Sequence, residues 1–167
     1  LPPCRDAFRM SVSPDAFRSL LGRFATGVTV LTARDATGGD HGMTVSAFAS
    51  VSLDTPLVLA CIARDADMFA PLGKSQHFGI SVLTEDQEHL SRRFAETPDN
   101  RFDGLAVTRG ESGVLLLDGA HGHLECRRVS WYEAGDHAIC VGEVLRVAPG
   151  VGKPLLYYRG GYTTLRD

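Results

Sequence analysis

The chain has 167 residues, the size of one domain with a sizeable core, which excludes a multidomain reading. Its apolar fraction of 44% and charged fraction of 22% are ordinary for a globular protein, so fibrous, collagen-like and largely disordered classes drop out. A net charge of −3 and an isoelectric point near 6.1 supply no basic field to gather nucleic acid or anionic lipid. The longest apolar runs, such as Val114 to Leu117 and Ala138 to Gly142, fall far short of the roughly 18 residues of a membrane helix. The first residues carry no basic stretch followed by an apolar one, which makes the cytoplasm the expected compartment.

Residues 1–12 are expected to be a poorly ordered extension and 13–167 the folded domain. Ser13-Pro14-Asp15 is a helix start: a capping hydroxyl, a proline suited to the first turn and a carboxylate for the positive end of the dipole. Phe17, Leu20, Leu21 and Phe24 follow at helical spacing, so a helix is predicted over about 14–25, ended by Gly27. The β-branched run Val28 to Thr32 predicts a strand, and Asp35 to Asp40 a turn into a second strand from His41 to Ser52. Leu57 to Ala63 reads as an apolar strand, Ala66 to Leu72 as a short helix, Phe78 to Leu83 as a strand and Glu85 to Ala95 as a helix. Thr97 to Glu111 is polar and turn-rich, a surface excursion.

The C-terminal half reads as a long hairpin, Gly122 to Glu133 and His137 to Val147, closed by Ala134-Gly135-Asp136. Its apolar parity switches at Arg127-Arg128, from Leu124 and Cys126 to Val129 and Trp131, as a β-bulge requires. Many hairpin-joined strands with few helices, and no regular βαβ alternation, predict a mainly β fold: an antiparallel barrel with peripheral helices. Cys4, Cys61, Cys126 and Cys140 are too widely spaced for a zinc or redox motif, and the last three are expected as buried thiols.

Familiar nucleotide motifs are missing. No Gly-x-Gly-x-x-Gly follows a strand, and the spacing of Gly22 to Gly27 is followed by Val28-Thr29 where a phosphate loop needs Lys and Ser or Thr. His121, His123 and Glu125 alternate, which in a strand puts two imidazoles and a carboxylate on one face, a set suited to non-haem iron. The competing reading is a solvated polar stripe.

Phe24-Ala25-Thr26-Gly27-Val28-Thr29-Val30-Leu31-Thr32 and His41 to Asp54 (HGMTVSAFASVSLD) resemble the short-chain flavin reductase family. Pro56 to Cys61, Phe78 to Leu83, Gly135-Asp136-His137, Val141 to Val144 and Pro154 to Gly160 resemble it in the same order, so the likeness spans about 14–165. The resemblance implies an FMN-binding split β-barrel that works as a homodimer with flavin at the subunit interface. It implies hydride transfer from NADH or NADPH to FMN, or to FAD in its place, and delivery of reduced flavin to a separate monooxygenase. It further implies flavin contacts from Met43, Thr44, Val45, Ser46, Ser50, Ser52, Cys61, Ala63, Arg64, Phe69 and Lys74.

The residues bear their own reading beside that likeness. Thr44 and Ser46 alternate with Met43 and Val45, so one face offers hydroxyls and backbone groups while the other packs inward. Ser50 and Ser52 are expected to share a face along a ribityl chain, with Arg64 and Lys74 as the cations nearest a phosphate; Arg64 serves equally as a surface partner of Asp65 or Asp67. By resemblance His137 lies near the nicotinamide and orients it, since hydride transfer needs alignment and no general base. Its bland alternative is a hairpin cap. Arg101, Phe102 and Tyr162, with Tyr157, Tyr158 and Arg159, are candidates for dinucleotide or subunit contacts. A flavin carrier without catalysis, and an enzyme of other chemistry with resident FMN, remain open on the same barrel.

Overall fold

A computed structural model describes residues 12–96 and 100–166. Ser13 caps helix α1 (Pro14–Leu21), its hydroxyl accepting the Ala16 N–H at 3.2 Å. The helix ends at Leu21, short of the expected Ala25: Gly22 caps it, and Arg23 and Phe24 turn tightly onto the Leu20 and Leu21 carbonyls. The chain then forms β1 (Thr26–Gly27), β2 (Thr29–Arg34), β3 (Asp40–Val45), β4 (Phe48–Leu53) and β5 (Pro56–Ala63). Helix α2 (Phe69–Lys74), β6 (His77–Val82), a 3-10 turn (Glu85–Gln87) and α3 (Glu88–Ala95) follow. The second half holds β7 (Val107–Arg109), β8 (Leu115–Leu117), the long pair β9 (Gly122–Ala134) and β10 (His137–Pro149), then β11 (Leu156–Tyr158) and β12 (Gly161–Thr163).

Seven strands form one antiparallel sheet in the order β3-β2-β6-β9-β10-β5-β4. Its two edge strands, β3 and β4, are consecutive in the chain, so Ser46-Ala47 bridges the edges and the Cys61 N–H meets the Ala47 carbonyl at 3.0 Å. The sheet therefore curls into the expected barrel, split at this corner. The single strand expected from His41 to Ser52 is two strands, because each half pairs with a different neighbour.

A second correction concerns Ser50 and Ser52. The register slips between them, leaving Val51 as an extra residue opposite β5. Alternation fails across that bulge: Ser50 is exposed, while Ser52 is half-buried and bonded to the Asp54 carbonyl at 3.2 Å. In the long hairpin the parity switch is real, with Val129 unpaired between Arg128 and Ser130, and β10 slips again at Leu145. The polar excursion, whose Thr97 to Asp99 lie outside the described residues, holds β7, which pairs with β8. The extension 1–12 lies outside the described residues except for its last position.

Leu31, Ile62, Phe78 and Ile80 fill the barrel with no exposure, beside Cys126 and Cys140. Gly142 is needed there, since a Cβ on it would lie 2.3 Å from Cζ of Phe78. Cys61, Cys126 and Cys140 are free thiols, and burial pushes the latter two up to about 12. Cys61 is only half-buried, and Cys4 lies outside the described residues. No helix among the described residues is long and apolar enough to cross a membrane.

Candidate functional site

The split of the barrel brings together some of the residues singled out in the sequence, Thr44, Ser46, Tyr157 and Tyr162 among them. A recess of about 210 Å³ is lined by Val28, Thr44, Ser46, Ser91, Tyr157 and Tyr162. The Thr44 hydroxyl donates to the Ser91 carbonyl at 2.6 Å, and the Ser91 and Tyr162 hydroxyls lie 2.8 Å apart. Tyr157 meets Tyr162 edge to face at 5.3 Å, and the Arg92 guanidinium sits 4.9 Å over the Tyr162 ring. Glu88 holds Arg92 at 2.6 Å and raises its pKa further. Ser91 carried no motif, but Gln87, Ser91 and Phe94 recur at i, i+4 and i+7, and all three are buried.

Beside the recess stands the Ser46-Ala47 corner. Both residues are exposed and outside the strands, and among the described residues their backbone N–H groups donate no hydrogen bond. Through the Ala47–Cys61 bond the corner leads to the end of β5, where Ala63 faces His137 in the next strand. Gly135-Asp136 is a tight two-residue turn, with Gly135 at φ +63. His137 Nδ1 lies 2.7 Å from Asp136 Oδ1, and this contact, with the charge of His137, draws the Asp136 carboxyl below its ordinary range. The bond leaves Nε2 as the free ring nitrogen of a half-exposed imidazole.

The remaining expected residues have other neighbours. Met43 packs against the core and Val45 is buried in it, so a ligand would meet their backbone. Arg64 pairs with Glu133, not with Asp65 or Asp67, and donates to the Gly135 carbonyl at 3.1 Å, bracing the His137 turn. Phe69 packs edge-on to Trp131 at 5.2 Å, and Lys74 is exposed in the last turn of α2. Arg101 donates to the Gly42 carbonyl at 2.6 Å and pairs with Asp67 at 3.1 Å, while Phe102 packs on Phe94 at 5.1 Å. The metal reading of the alternating triad fails. Glu125 is bonded to Ser112 and the Glu111 amide, His123 to the Leu117 carbonyl, and no cluster of three or more His, Cys, Asp or Glu side chains among the described residues is placed to hold a metal ion.

The model of the flavin reductase like domain matches residues 21–166. The chain belongs to that family. It is 45% identical over 147 residues to FMN reductase (NADH) SmoA of Agrobacterium fabrum, covering 88% of this chain and 83% of that protein. It is 39% identical over 146 residues to the reductase component of the 4-nitrophenol 4-monooxygenase/4-nitrocatechol 2-monooxygenase of Rhodococcus opacus, covering 87% and 78%. The NADH:FAD oxidoreductase SgcE6 of Streptomyces globisporus, solved with NAD and FAD fragments, superposes with a TM-score of 0.87 at 38% identity, covering 93% of this chain and 96% of that one.

The split end of this flavin reductase fold fits the group the family implies. A flavin ring is flat and apolar across its middle and polar along one edge. The corner supplies unclaimed backbone donors for such an edge, and the hydroxyl-lined, tyrosine-walled recess supplies a place for a flat ring.

Proposed function

We propose that the chain is an NADH-dependent flavin reductase that hands reduced flavin to a partner monooxygenase, and that it works as a cytoplasmic homodimer with the flavin at the subunit interface. The carrying observation is the open corner itself, where the free amides of Ser46 and Ala47 stand between the Thr44–Ser91–Tyr162 hydroxyls and the His137 turn. When bound, a flavin supplies the hydride acceptor. This chain's residues then have three tasks. The corner amides meet the polar edge of the ring, where preorganised donors stabilise growing negative charge. The Asp136-held imidazole of His137 presents Nε2 to the nicotinamide and fixes its angle. The walls around Tyr157 and Tyr162 keep water from the reacting faces.

The dimer reading is supported by α1. Phe17, Leu20 and Leu21 keep their helical spacing on α1 and, with Phe24 just beyond its end, are 57%, 66%, 48% and 74% exposed in the single chain, and no residue of the helix is buried. An apolar face of that kind calls for a partner, and a second copy supplies the same face in return.

The deciding experiment is anaerobic absorbance of the purified protein with excess FMN and NADH, repeated with FAD. Bleaching of many flavins per enzyme is expected. Bleaching of one equivalent alone would mean resident flavin of other chemistry, and none would mean a carrier.

A further inference from the structure

Next to the recess, α1 and the turn between β11 and β12 enclose a groove of about 500 Å³ lined by Arg18, Ser19, Gly22, Arg23, Arg159 and Gly160. Three arginines line it in a chain whose net charge is −3. Among the described residues only Arg18 has a carboxylate partner, Asp15 at 3.0 Å, and both side chains are largely in solvent, where such a pair is weak. Arg23 forms no ion pair among the described residues, and Arg159 rests over the Tyr158 ring at 5.4 Å.

The position of Arg159 is costly. It and Gly160 form a two-residue hairpin turn with φ of +49 and +79, a conformation that asks for Asn, Asp or Gly at the first place. The turn is also tied to α1, the Arg159 N–H donating to the Gly22 carbonyl at 2.7 Å. A long cation lining the groove is thus held by a strained backbone. Tyr157, which lines the recess, is two residues upstream, roughly 7 Å of extended chain and about the span of one sugar.

We propose that this groove is a phosphate site, in which Arg18, Arg23 and Arg159 take the phosphate end of a nucleotide whose ring lies in the neighbouring recess. The inference rests on the flavin reductase reading. Guanidinium forks suit phosphate oxygens, and the nucleotide is either the flavin through its 5′-phosphate or the dinucleotide through its pyrophosphate.

The test compares the wild type with R23Q/R159G and R23K/R159K. Glycine suits the backbone at 159, so the first variant is expected to melt no lower than wild type. If the groove holds the dinucleotide, KM for NADH rises roughly 10- to 100-fold while Kd for FMN stays constant. If it holds the flavin, Kd for FMN rises toward that for riboflavin and KM for NADH stays constant. In either case the lysine variant recovers part of the loss. Unchanged constants for both nucleotides overturn the proposal. Should the wild type fail to oxidise NADH with any flavin, the reductase reading falls, and calorimetric titration with inorganic pyrophosphate decides the groove alone. Binding by wild type that R23Q/R159G loses upholds the site, and no binding overturns it.

Discussion

Two regions of the barrel treat polar groups in opposite ways. Under β7 and β8, which fold over the sheet, most of the buried polar groups are tied inward: Glu125 to Ser112 and Glu111, His123 to the Leu117 carbonyl, and the Ser81 hydroxyl to the Leu117 amide at 3.0 Å, while the buried His121 Nδ1 has no partner among the described residues. Glu125 is only 6% exposed. Burial pulls its pKa up, but the Ser112 hydroxyl and amide, the Glu111 amide and Arg146 outweigh that, and the net shift is downward. At the split end the corner amides, the His137 ring nitrogen and the groove arginines face outward with donors to spare. Satisfied polar groups fix a structure; unsatisfied ones at an accessible rim are where a ligand can bind.

The largest effect is expected at the split end. L20D/F24D places two charges on the exposed apolar patch formed by α1 and Phe24 just beyond it and should convert the proposed dimer to monomers by sedimentation velocity, with flavin reduction falling roughly 100-fold. Unchanged sedimentation would show that α1 is not the subunit contact. The region under β7 and β8 should respond in stability alone. Glu125→Ala strands the Ser112 and Glu111 donors, costing about 3 kcal/mol and roughly 10 °C in Tm, with kcat unchanged at 20 °C or so. Because the folded-state pKa of Glu125 is depressed, its contribution is complete above the ordinary glutamate range and is lost as pH falls through the folded value. The Tm gap between wild type and E125A should therefore close in acid. A gap that stayed constant would mean the carboxylate's charge is irrelevant to the loop.

Much of this was legible in the sequence because it is periodic. The cap at Ser13, the apolar strands, the long hairpin and its bulge follow from local spacing and turn chemistry. What was not legible depends on contacts distant in the chain. Nothing local splits His41 to Ser52 at Ser46-Ala47; the break exists because β3 and β4 belong to opposite edges of one sheet. The alternating His121, His123 and Glu125 suggested a metal because alternation shows which side chains share a strand face, not which loop descends on them. Arg64 was open to a phosphate or to an ion pair with Asp65 or Asp67, and only the fold shows Glu133 opposite it.

A moderate effect is expected at His137, the proposed nicotinamide contact. His137→Ala should raise KM for NADH about tenfold while Kd for flavin changes little, since its imidazole is held by Asp136 at the hairpin turn and not in the recess. Parallel loss of flavin affinity would place the histidine against the flavin instead.

The smallest expected change probes whether the recess walls a ligand or only packs the fold. Thr44 and Tyr162 do not bond each other; both bond Ser91, one at its carbonyl and one at its hydroxyl. Thr44→Val and Tyr162→Phe should each cost about 1 kcal/mol of stability, the net worth of one hydrogen bond. If the three hydroxyls serve only packing, the double variant should lose the sum and both singles should bind flavin as wild type does. If they shape the wall of a ligand site, Kd for flavin should rise a few-fold in each single variant and by less than the product in the double, because the second change loosens a helix position already loosened by the first. Shared dependence on Ser91 is what makes the cycle informative, since two independent contacts with the ligand would multiply.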